Sequence, residues 1–157
     1  MRTRRERARS PGFTLIELVI AIAIVGVLAS VAIGKYADYR ERTRVYQAVT
    51  EIGAMSVTIK QYMVDHPSPP NSLAEVGADG KLDPWGAPYE YLDLTSVKGK
   101  GKSRKDKHLN PLNSDFDLYS KGKDGDSKPS LVPKVSHDDV IRALDGRFIG
   151  LVSVFDP

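Results

Sequence analysis

The sequence predicts an α+β protein in which a long N-terminal helix packs on a small C-terminal antiparallel β-sheet. Three observations predict this architecture. A run of 21 residues, 13–33, is apolar except for one charge, and an amphipathic stretch without proline follows it to about residue 65. Beyond Pro67, short apolar and aromatic segments are separated by turns rich in proline and glycine, which is typical of strands.

The chain has 157 residues, which is enough for one domain or for one small domain with an appendage. Its hydrophobic content of 41% and charged content of 27% exclude a fully disordered chain and a polytopic membrane protein. The net charge of +3 is uneven, because residues 1–12 carry five Arg against one Glu, whereas residues 13–157 carry 18 basic and 19 acidic residues. A basic surface over the whole protein is therefore excluded. The chain has no Cys, so neither disulfides nor thiolate metal sites can support the fold.

Residues 13–33 would form a helix about 31 Å long, which is roughly the thickness of the hydrocarbon core of a membrane. The arginines in front of it should stay in the cytoplasm, which places the rest of the chain on the other side. Three interpretations are open: a secretory signal peptide cleaved after Val27-Leu28-Ala29, a plain membrane anchor, and a helix that first spans a membrane and later enters a filament.

Glu17 discriminates among these interpretations, because a carboxylate in an apolar run costs about 2.5–3.5 kcal/mol near the middle of a membrane. Neither a signal peptide nor a simple anchor gains anything from that cost. A charge in such a position implies a partner, and the natural one is the α-amino group that cleavage before Phe13 would create. Gly12 supplies a small residue on the leader side of that bond.

The segment Gly12-Phe13-Thr14-Leu15-Ile16-Glu17, behind a basic leader and ahead of the apolar run, resembles the cleavage and methylation motif of type IV prepilins and type II secretion pseudopilins. The resemblance implies that residues 1–12 are a leader peptide. A prepilin peptidase would remove it between Gly12 and Phe13 and N-methylate Phe13. The resemblance also implies that Glu17 neutralises the Phe13 ammonium when subunits dock. The chain has Gly34 where many family members have proline, which favours either local unwinding or close packing of helices there.

The helix is expected to run from about Phe13 to about Asp65, with residues 13–34 in the membrane or a filament core and residues 35–66 amphipathic. In the second part, apolar residues recur at steps of three and four with charges between them: Val45, Val49, Ile52, Met55, Ile59 and Met63. Pro67 disfavours helix at the preceding His66. A helix of this length suits a protein that keeps one half in lipid and lays the other half on a sheet. Two helices with a break near Gly34 are the alternative.

Residues 67–157 are expected to form the globular domain. The segment 82–88, LDPWGAP, is rich in turn signals, and Tyr89, Tyr91 and Leu92 favour a strand directly after it. A second strand is predicted at 116–120. The apolar tail within 143–155 follows an Asp-Gly turn and would add a strand or cover the sheet.

Residues 97–108, VKGKGKSRKDKH, contain six Lys or Arg and no apolar face, so a solvated loop is predicted there. Binding of nucleic acid or acidic lipid is the less favoured alternative, because phosphate recognition would require these basic groups to converge. No catalytic constellation is recognisable in the sequence: His66, His108 and His137 are far apart, and the nucleophile-elbow, P-loop and HExxH patterns are absent. An enzyme is therefore not predicted.

The motif Asp-Pro-Trp-Gly-x-Pro-Tyr at 83–89, followed by Asp-Leu-Tyr-Ser-x-Gly-x-Asp-Gly at 117–125, resembles the major pseudopilin family of type II secretion, the G subunits. The resemblance covers about residues 10–140. It implies that calcium, rather than the disulfide common in type IVa pilins, holds the C-terminal loop. By this resemblance Asp124, Asp138 and Asp139 would supply side-chain oxygens to the metal. Lys121 and Ser136 would supply backbone carbonyls.

The residue types agree with that expectation, because calcium takes six to eight oxygen ligands, several of them from carboxylates on a flexible loop. The adjacent acids Asp138 and Asp139 repel each other, and a cation would relieve the repulsion. The alternatives are that Asp124 only forms a turn, and that Asp138 and Asp139 only start a helix before Val140. The EF-hand pattern is absent from the sequence.

The resemblance implies a structural subunit of a type II secretion pseudopilus, a single-pass protein of the bacterial inner membrane whose C-terminal domain lies in the periplasm. It would polymerise with itself into a periplasmic filament that drives protein export through the outer membrane. The expected partners are the prepilin peptidase, the inner-membrane platform, minor pseudopilins and, indirectly, the secretin. The alternatives are a type IV pilin or minor pilin for adhesion, motility or DNA uptake, and a secreted soluble binding protein with an ordinary signal peptide.

Overall fold

The structure is a computed structural model that describes residues 12–96 and 101–155. The leader predicted at residues 1–12 lies outside the described part except for Gly12, and so do residues 97–100 of the lysine-rich segment. The chain divides into two compact units, Met1–Arg40 and Glu41–Pro157.

One helix, α1, comprises Leu15–Asp65. It begins where Thr14 and Glu17 form a capping box: the Thr14 backbone N–H donates to Glu17 Oε2 at 2.8 Å, and the Glu17 N–H donates to Thr14 Oγ1 at 3.3 Å. It ends just before His66-Pro67, as expected from the restriction that proline places on the preceding residue. The prediction of one long helix is confirmed, and α1 is not interrupted at Gly34.

In the first unit, the described residues of α1 are exposed. Within the described part of the chain, α1 is the one helix long and apolar enough to cross a membrane, and none of its most apolar 18-residue window is buried. An apolar surface of this extent needs lipid or neighbouring protein to cover it.

In the second unit, the described residues form a four-stranded antiparallel sheet in the order β1-β2-β3-β4. The strands are β1 Glu90–Asp93, β2 Phe116–Ser120, β3 Val140–Ala143 and β4 Phe148–Leu151. Single 3-10 turns lie at Leu73–Val76, Lys134–Ser136, Leu144–Gly146 and Val152–Val154. The two predicted strands are confirmed as β1 and β2, and the apolar tail adds β4. The alternative that Asp138 and Asp139 start a helix is wrong, because the strand β3 begins directly after them and pairs with β2 and β4.

The second half of α1 covers one face of the sheet. Apolar residues at helical spacing meet inward side chains of β2 and β3 there, and the buried members are Ala48, Ile52, Met55, Ile59, Phe116, Leu118 and Val140. Each large apolar side chain that is fully buried in this way contributes about 1.5–3 kcal/mol. This burial, more than intrinsic helix propensity, stabilises the second half of α1.

The opposite face of the sheet carries a second apolar cluster, since successive strand residues alternate between faces. Ile141 and Ala143 of β3 pack there against residues of the loops and the tail, namely Leu112, Leu131 and Val152. All four residues of β3 are buried. The same loops bring the residues of the predicted metal loop next to β3.

Candidate functional site

The predicted processing bond, between Gly12 and Phe13, lies directly before α1. Phe13 is 90% exposed, so this residue is open to another protein. Glu17 is exposed as well, and its Oε2 accepts hydrogen bonds from the Thr14 backbone N–H at 2.8 Å and from the Thr14 hydroxyl at 2.7 Å. The carboxylate therefore lies within one helical turn of the predicted new amino terminus.

An extended apolar surface follows this motif along the first half of α1. Every Leu, Ile and Val from Leu15 to Ile33 is at least 48% exposed. A single chain that leaves so much aliphatic surface open to water requires a membrane or the helices of other chains to cover it.

The Asp-Pro-Trp motif forms a turn that ties the sheet to the second half of α1. The Asp83 carboxylate accepts hydrogen bonds from the Trp85 N–H at 3.0 Å, the Ala87 N–H at 2.9 Å and the Ser120 hydroxyl at 2.5 Å. The Trp85 indole N–H donates to Glu41 on α1 at 2.9 Å. These contacts give the motif a structural role, because they position α1 relative to β2.

Gly122 and Asp138 hold the start of the predicted metal loop. Asp138 Oδ2 accepts hydrogen bonds from the backbone N–H groups of Lys123 at 2.8 Å and Asp124 at 3.0 Å. Gly122 has a φ of 66°, and a Cβ atom at this position would lie 2.2 Å from the Asp138 carbonyl oxygen, so the close approach requires glycine. Asp124 Oδ1 in turn accepts a hydrogen bond from the Asp126 N–H at 2.9 Å, which stabilises a local turn.

Asp139 lies in a different environment, because it is fully buried. Its Oδ2 is 2.5 Å from Nη2 of Arg104 and accepts a hydrogen bond from the Ser127 hydroxyl at 2.6 Å. Burial raises the pKa of the Asp139 carboxyl to about 6, while the Ser127 hydrogen bond and the Arg104 charge act in the opposite direction. The carboxylate is therefore ionised at neutral pH, and the positive charge beside it is Arg104.

The two residues predicted to supply backbone carbonyls lie in different surroundings. Ser136 is buried, its backbone carbonyl accepts a hydrogen bond from the Asp139 N–H at 3.4 Å, and its hydroxyl accepts one from the Lys128 N–H at 3.0 Å. The Lys121 ammonium pairs with Glu90 on β1, at 2.5 Å from Oε1. Ser136 thus takes part in closing the loop, whereas the Lys121 side chain pairs with the edge of the sheet.

The structure does not bring the three predicted carboxylates together. Asp138 binds backbone N–H groups, Asp124 stabilises its own turn, and Asp139 is paired with Arg104. Among the residues that the structure describes, no group of three or more His, Asp or Glu side chains is placed to hold a metal ion. The arrangement does not fit a calcium site, and calcium binding stays a prediction from the resemblance.

Arg104, from the basic segment 97–108, contacts the predicted metal loop, and the sequence did not predict this contact. The solvated loop predicted for residues 97–108 is wrong at Ser103 and Arg104, which are both 3% exposed, whereas Lys102 and Lys107 are exposed. One signal was present, a single guanidinium among five lysines. Composition cannot tell which basic residue turns inward, because that choice depends on the position of a buried acid.

Residues 7–33 match the prokaryotic N-terminal methylation motif, a range that includes Gly12, Phe13 and Glu17. The chain is also 28% identical over 141 residues to the type II secretion system core protein G of Pseudomonas aeruginosa, and this match covers 76% of the chain and 88% of that protein. These two matches support a type IV pilin-like protein, similar to pseudopilin G. The long helix on a small antiparallel sheet agrees with that family, as the sequence predicted.

The pilin-like chain is similar to fimbrial proteins too. It is 33% identical over 99 residues to a fimbrial protein of Pseudomonas aeruginosa, which covers 59% of the chain and 56% of the relative. It is 37% identical over 87 residues to a fimbrial protein of Neisseria meningitidis, with 55% and 49% covered. The chain thus spans about half the length of these fimbrial relatives. No solved structure matches the chain.

Proposed function

We propose that this pilin-like protein is a structural subunit of a type II secretion pseudopilus, of the same class as core protein G. The observation that carries the proposal is the breadth of that similarity: it covers 88% of core protein G, whereas the first fimbrial match covers 56% of its relative. We rely on the length of the match rather than on the N-terminal motif, because pilins and pseudopilins share that motif.

The subunit first resides in the bacterial inner membrane as a single-pass protein. The exposed apolar half of α1 is long enough for this position, and the arginines of residues 1–12 favour a cytoplasmic amino terminus. The C-terminal domain then lies in the periplasm. A chain without Cys must hold its loops there without disulfides.

Processing by a prepilin peptidase then removes the leader between Gly12 and Phe13. The exposure of Phe13 supports access to this bond, because the residue precedes the first turn of α1 and is 90% exposed. N-methylation of Phe13 leaves an amine that is still cationic. The new charge appears within one turn of Glu17.

Assembly pairs Glu17 of one copy with the Phe13 amine of its neighbour. In an apolar filament core the attraction between these charges is far stronger than in water, because the effective dielectric constant is lower. The hydrogen bonds from Thr14 orient the carboxylate before docking. The apolar halves of α1 bury one another in the core, and the C-terminal domains form the outer wall.

Growth of this filament pushes folded proteins through an outer-membrane secretin. The inner-membrane platform and minor pseudopilins would be its partners in assembly. Self-association through α1 is the step that the described residues support most directly, since the aliphatic residues from Leu15 to Ile33 are all exposed.

Deletion and complementation in the source bacterium test the proposal. Deletion of the gene should abolish release of secreted proteins into the medium while surface pili and twitching motility persist. The wild-type gene should restore secretion, whereas Gly12→Val, which blocks access to the processing bond, should not. Loss of pili or motility with normal secretion would instead identify a type IV pilin, the function that the higher identity to fimbrial proteins favours.

A further inference from the structure

The guanidinium of Arg104 lies inside the loop system of the C-terminal domain. The side chain of Arg104 is 3% exposed and that of Asp139 is 0% exposed, and Nη2 lies 2.5 Å from Oδ2. Arg104 comes from the basic segment after β1, whereas Asp139 directly precedes β3. Their pairing therefore joins two parts of the chain that are 35 residues apart.

The other contacts of Arg104 are also with oxygen atoms. Nη1 donates to the hydroxyl of Ser127 and, at 2.8 Å, to the carbonyl oxygen of Lys128. The guanidinium carbon lies 4.3 Å from the centre of the Tyr119 ring on β2, and the Arg104 backbone N–H donates to Asp117 Oδ2 at 2.7 Å. The hydroxyl of Ser127, the carbonyl of the adjacent Lys128 and the carboxylate of Asp139 thus meet at one positive group.

The backbone around Arg104 places the guanidinium in this position. Lys105 donates its N–H to the Pro129 carbonyl at 2.8 Å and accepts from the Leu131 N–H at 3.0 Å, so the two segments run side by side. The Leu112 N–H donates to the Arg104 carbonyl at 2.9 Å. The basic segment is therefore held between two other segments at this point, and the Arg104 side chain extends towards Asp139.

Carboxylate and carbonyl oxygens are ligands that calcium takes in proteins. Here the Arg104 guanidinium already binds the Asp139 carboxylate and the Lys128 carbonyl oxygen, and a divalent cation at Asp139 would meet a fixed positive charge at close range. Arginine suits this position because its planar group donates several hydrogen bonds in fixed directions and does not lose its charge. In the described part of the chain, Asp139 Oδ1 and Arg104 Nε make no hydrogen bond, so the direct link between the two charged groups is the contact of Nη2 with Oδ2.

We propose that Arg104 neutralises Asp139 and closes this loop in place of a metal ion, so that the C-terminal domain folds and stays folded without calcium. This role of Arg104 in the C-terminal domain goes beyond the proposed function. It holds for a pilin and for a pseudopilin alike. The Arg104–Asp139 ion pair takes the place of the disulfide that a chain without Cys cannot form, and also of the calcium that the resemblance implies.

Thermal unfolding of the full-length protein in detergent tests this inference. The chain has one Trp, Trp85, which belongs to the C-terminal domain and reports its unfolding by fluorescence. The melting temperature in excess EGTA should agree with that in millimolar calcium chloride, and titration calorimetry with calcium chloride should show no binding. A calcium-induced rise of more than about 5 °C, or stoichiometric calcium binding, would overturn the proposal.

Substitution of the arginine supplies the second test. Arg104→Met keeps an unbranched apolar stem, removes the guanidinium and its charge and leaves Asp139 buried without its partner, so the melting temperature should fall by about 10 °C or more. Arg147→Met is the matched control, because Arg147 is an exposed arginine of the same domain and its loss should change little. An Arg104→Met variant as stable as that control would contradict the role of Arg104. If Arg104→Met does not fold, the calcium measurements on the wild type still decide the question.

Discussion

The guanidinium of Arg142 on β3 forms a bidentate ion pair with the carboxylate of Asp115, directly before β2. The distances are 2.8 Å for Nη1–Oδ1 and 2.9 Å for Nη2–Oδ2. Arg142 is fully buried, its Nε donates to the Ser56 hydroxyl on α1 at 3.0 Å, and its guanidinium stacks 3.9 Å from the centre of the Phe116 ring. Lys60 of α1 reaches the same carboxylate, at 2.6 Å from Oδ2. One buried pair thus links α1, β2 and β3.

Loss of the Arg142 charge should destabilise the C-terminal domain strongly. Arg142→Met leaves Asp115 buried with one partner fewer, and removal of one member of a buried pair costs about 3–5 kcal/mol. Urea unfolding followed by Trp85 fluorescence measures the effect. Lys60→Met is the control, because the Lys60 side chain is 46% exposed and a pair of this kind contributes less than about 1 kcal/mol. Equal losses of unfolding free energy in Arg142→Met and Lys60→Met would contradict the prediction that Arg142 is the more important partner of Asp115.

The same carboxylate should make stability fall at acid pH. Burial alone would raise the pKa of Asp115, but hydrogen bonds from Arg142 and Lys60 lower it from 3.8 to about 2. Because the pKa is lower in the folded state, the stabilisation is complete above about pH 4 and is lost as the pH falls through about 2, a change of roughly 2 kcal/mol. The difference in unfolding free energy between wild type and Asp115→Asn should therefore shrink between pH 5 and pH 2. A difference that is independent of pH would contradict the assignment.

Two glycines in the predicted metal loop, Gly122 and Gly125, should respond differently to the same substitution. Gly122 has a φ of 66° and Gly125 a φ of 71°, so both pay the backbone cost of a left-handed alanine, roughly 1–2 kcal/mol. At Gly122 the new Cβ would also lie 2.2 Å from the Asp138 carbonyl oxygen, whereas at Gly125 no atom lies within 4 Å. Gly122→Ala should therefore lose more than about 3 kcal/mol, the range of severe steric changes. Similar unfolding free energies for the two variants would show that Gly122 is not tightly packed against Asp138.

Glu17→Ala should separate processing from assembly. The substitution removes the carboxylate but leaves Gly12 and Phe13 intact, so mass spectrometry should still find a mature protein that begins at N-methyl-Phe13. Filament yield should drop severely, because the Phe13 ammonium would enter an apolar core without a counter-charge. Asp38→Ala, which removes an exposed acid outside the apolar run, is the control and should assemble normally. Normal yield from Glu17→Ala would refute the docking role.

Features that depend on neighbours along the chain were predictable. The extent of α1 follows from apolar spacing and from Pro67, and β1 and β2 follow from turn residues and aromatic segments. The processing motif could be recognised for the same reason, since a peptidase reads a short continuous stretch. β3 was harder to predict, because a strand buried on both faces carries no alternation of apolar and polar residues.

Features that depend on long-range contact were decided by the tertiary structure alone. The basic segment around Arg104 carries no apolar face and was predicted to be solvated, yet Arg104 is buried because Asp139, 35 residues away, lies beside it. Asp138 and Asp139 are adjacent in sequence but bind different groups, one the backbone N–H groups of a turn and the other a guanidinium. A buried charge is tolerated only where an opposite charge or hydrogen-bond donor meets it, and which residues meet is set by the packing of the whole domain.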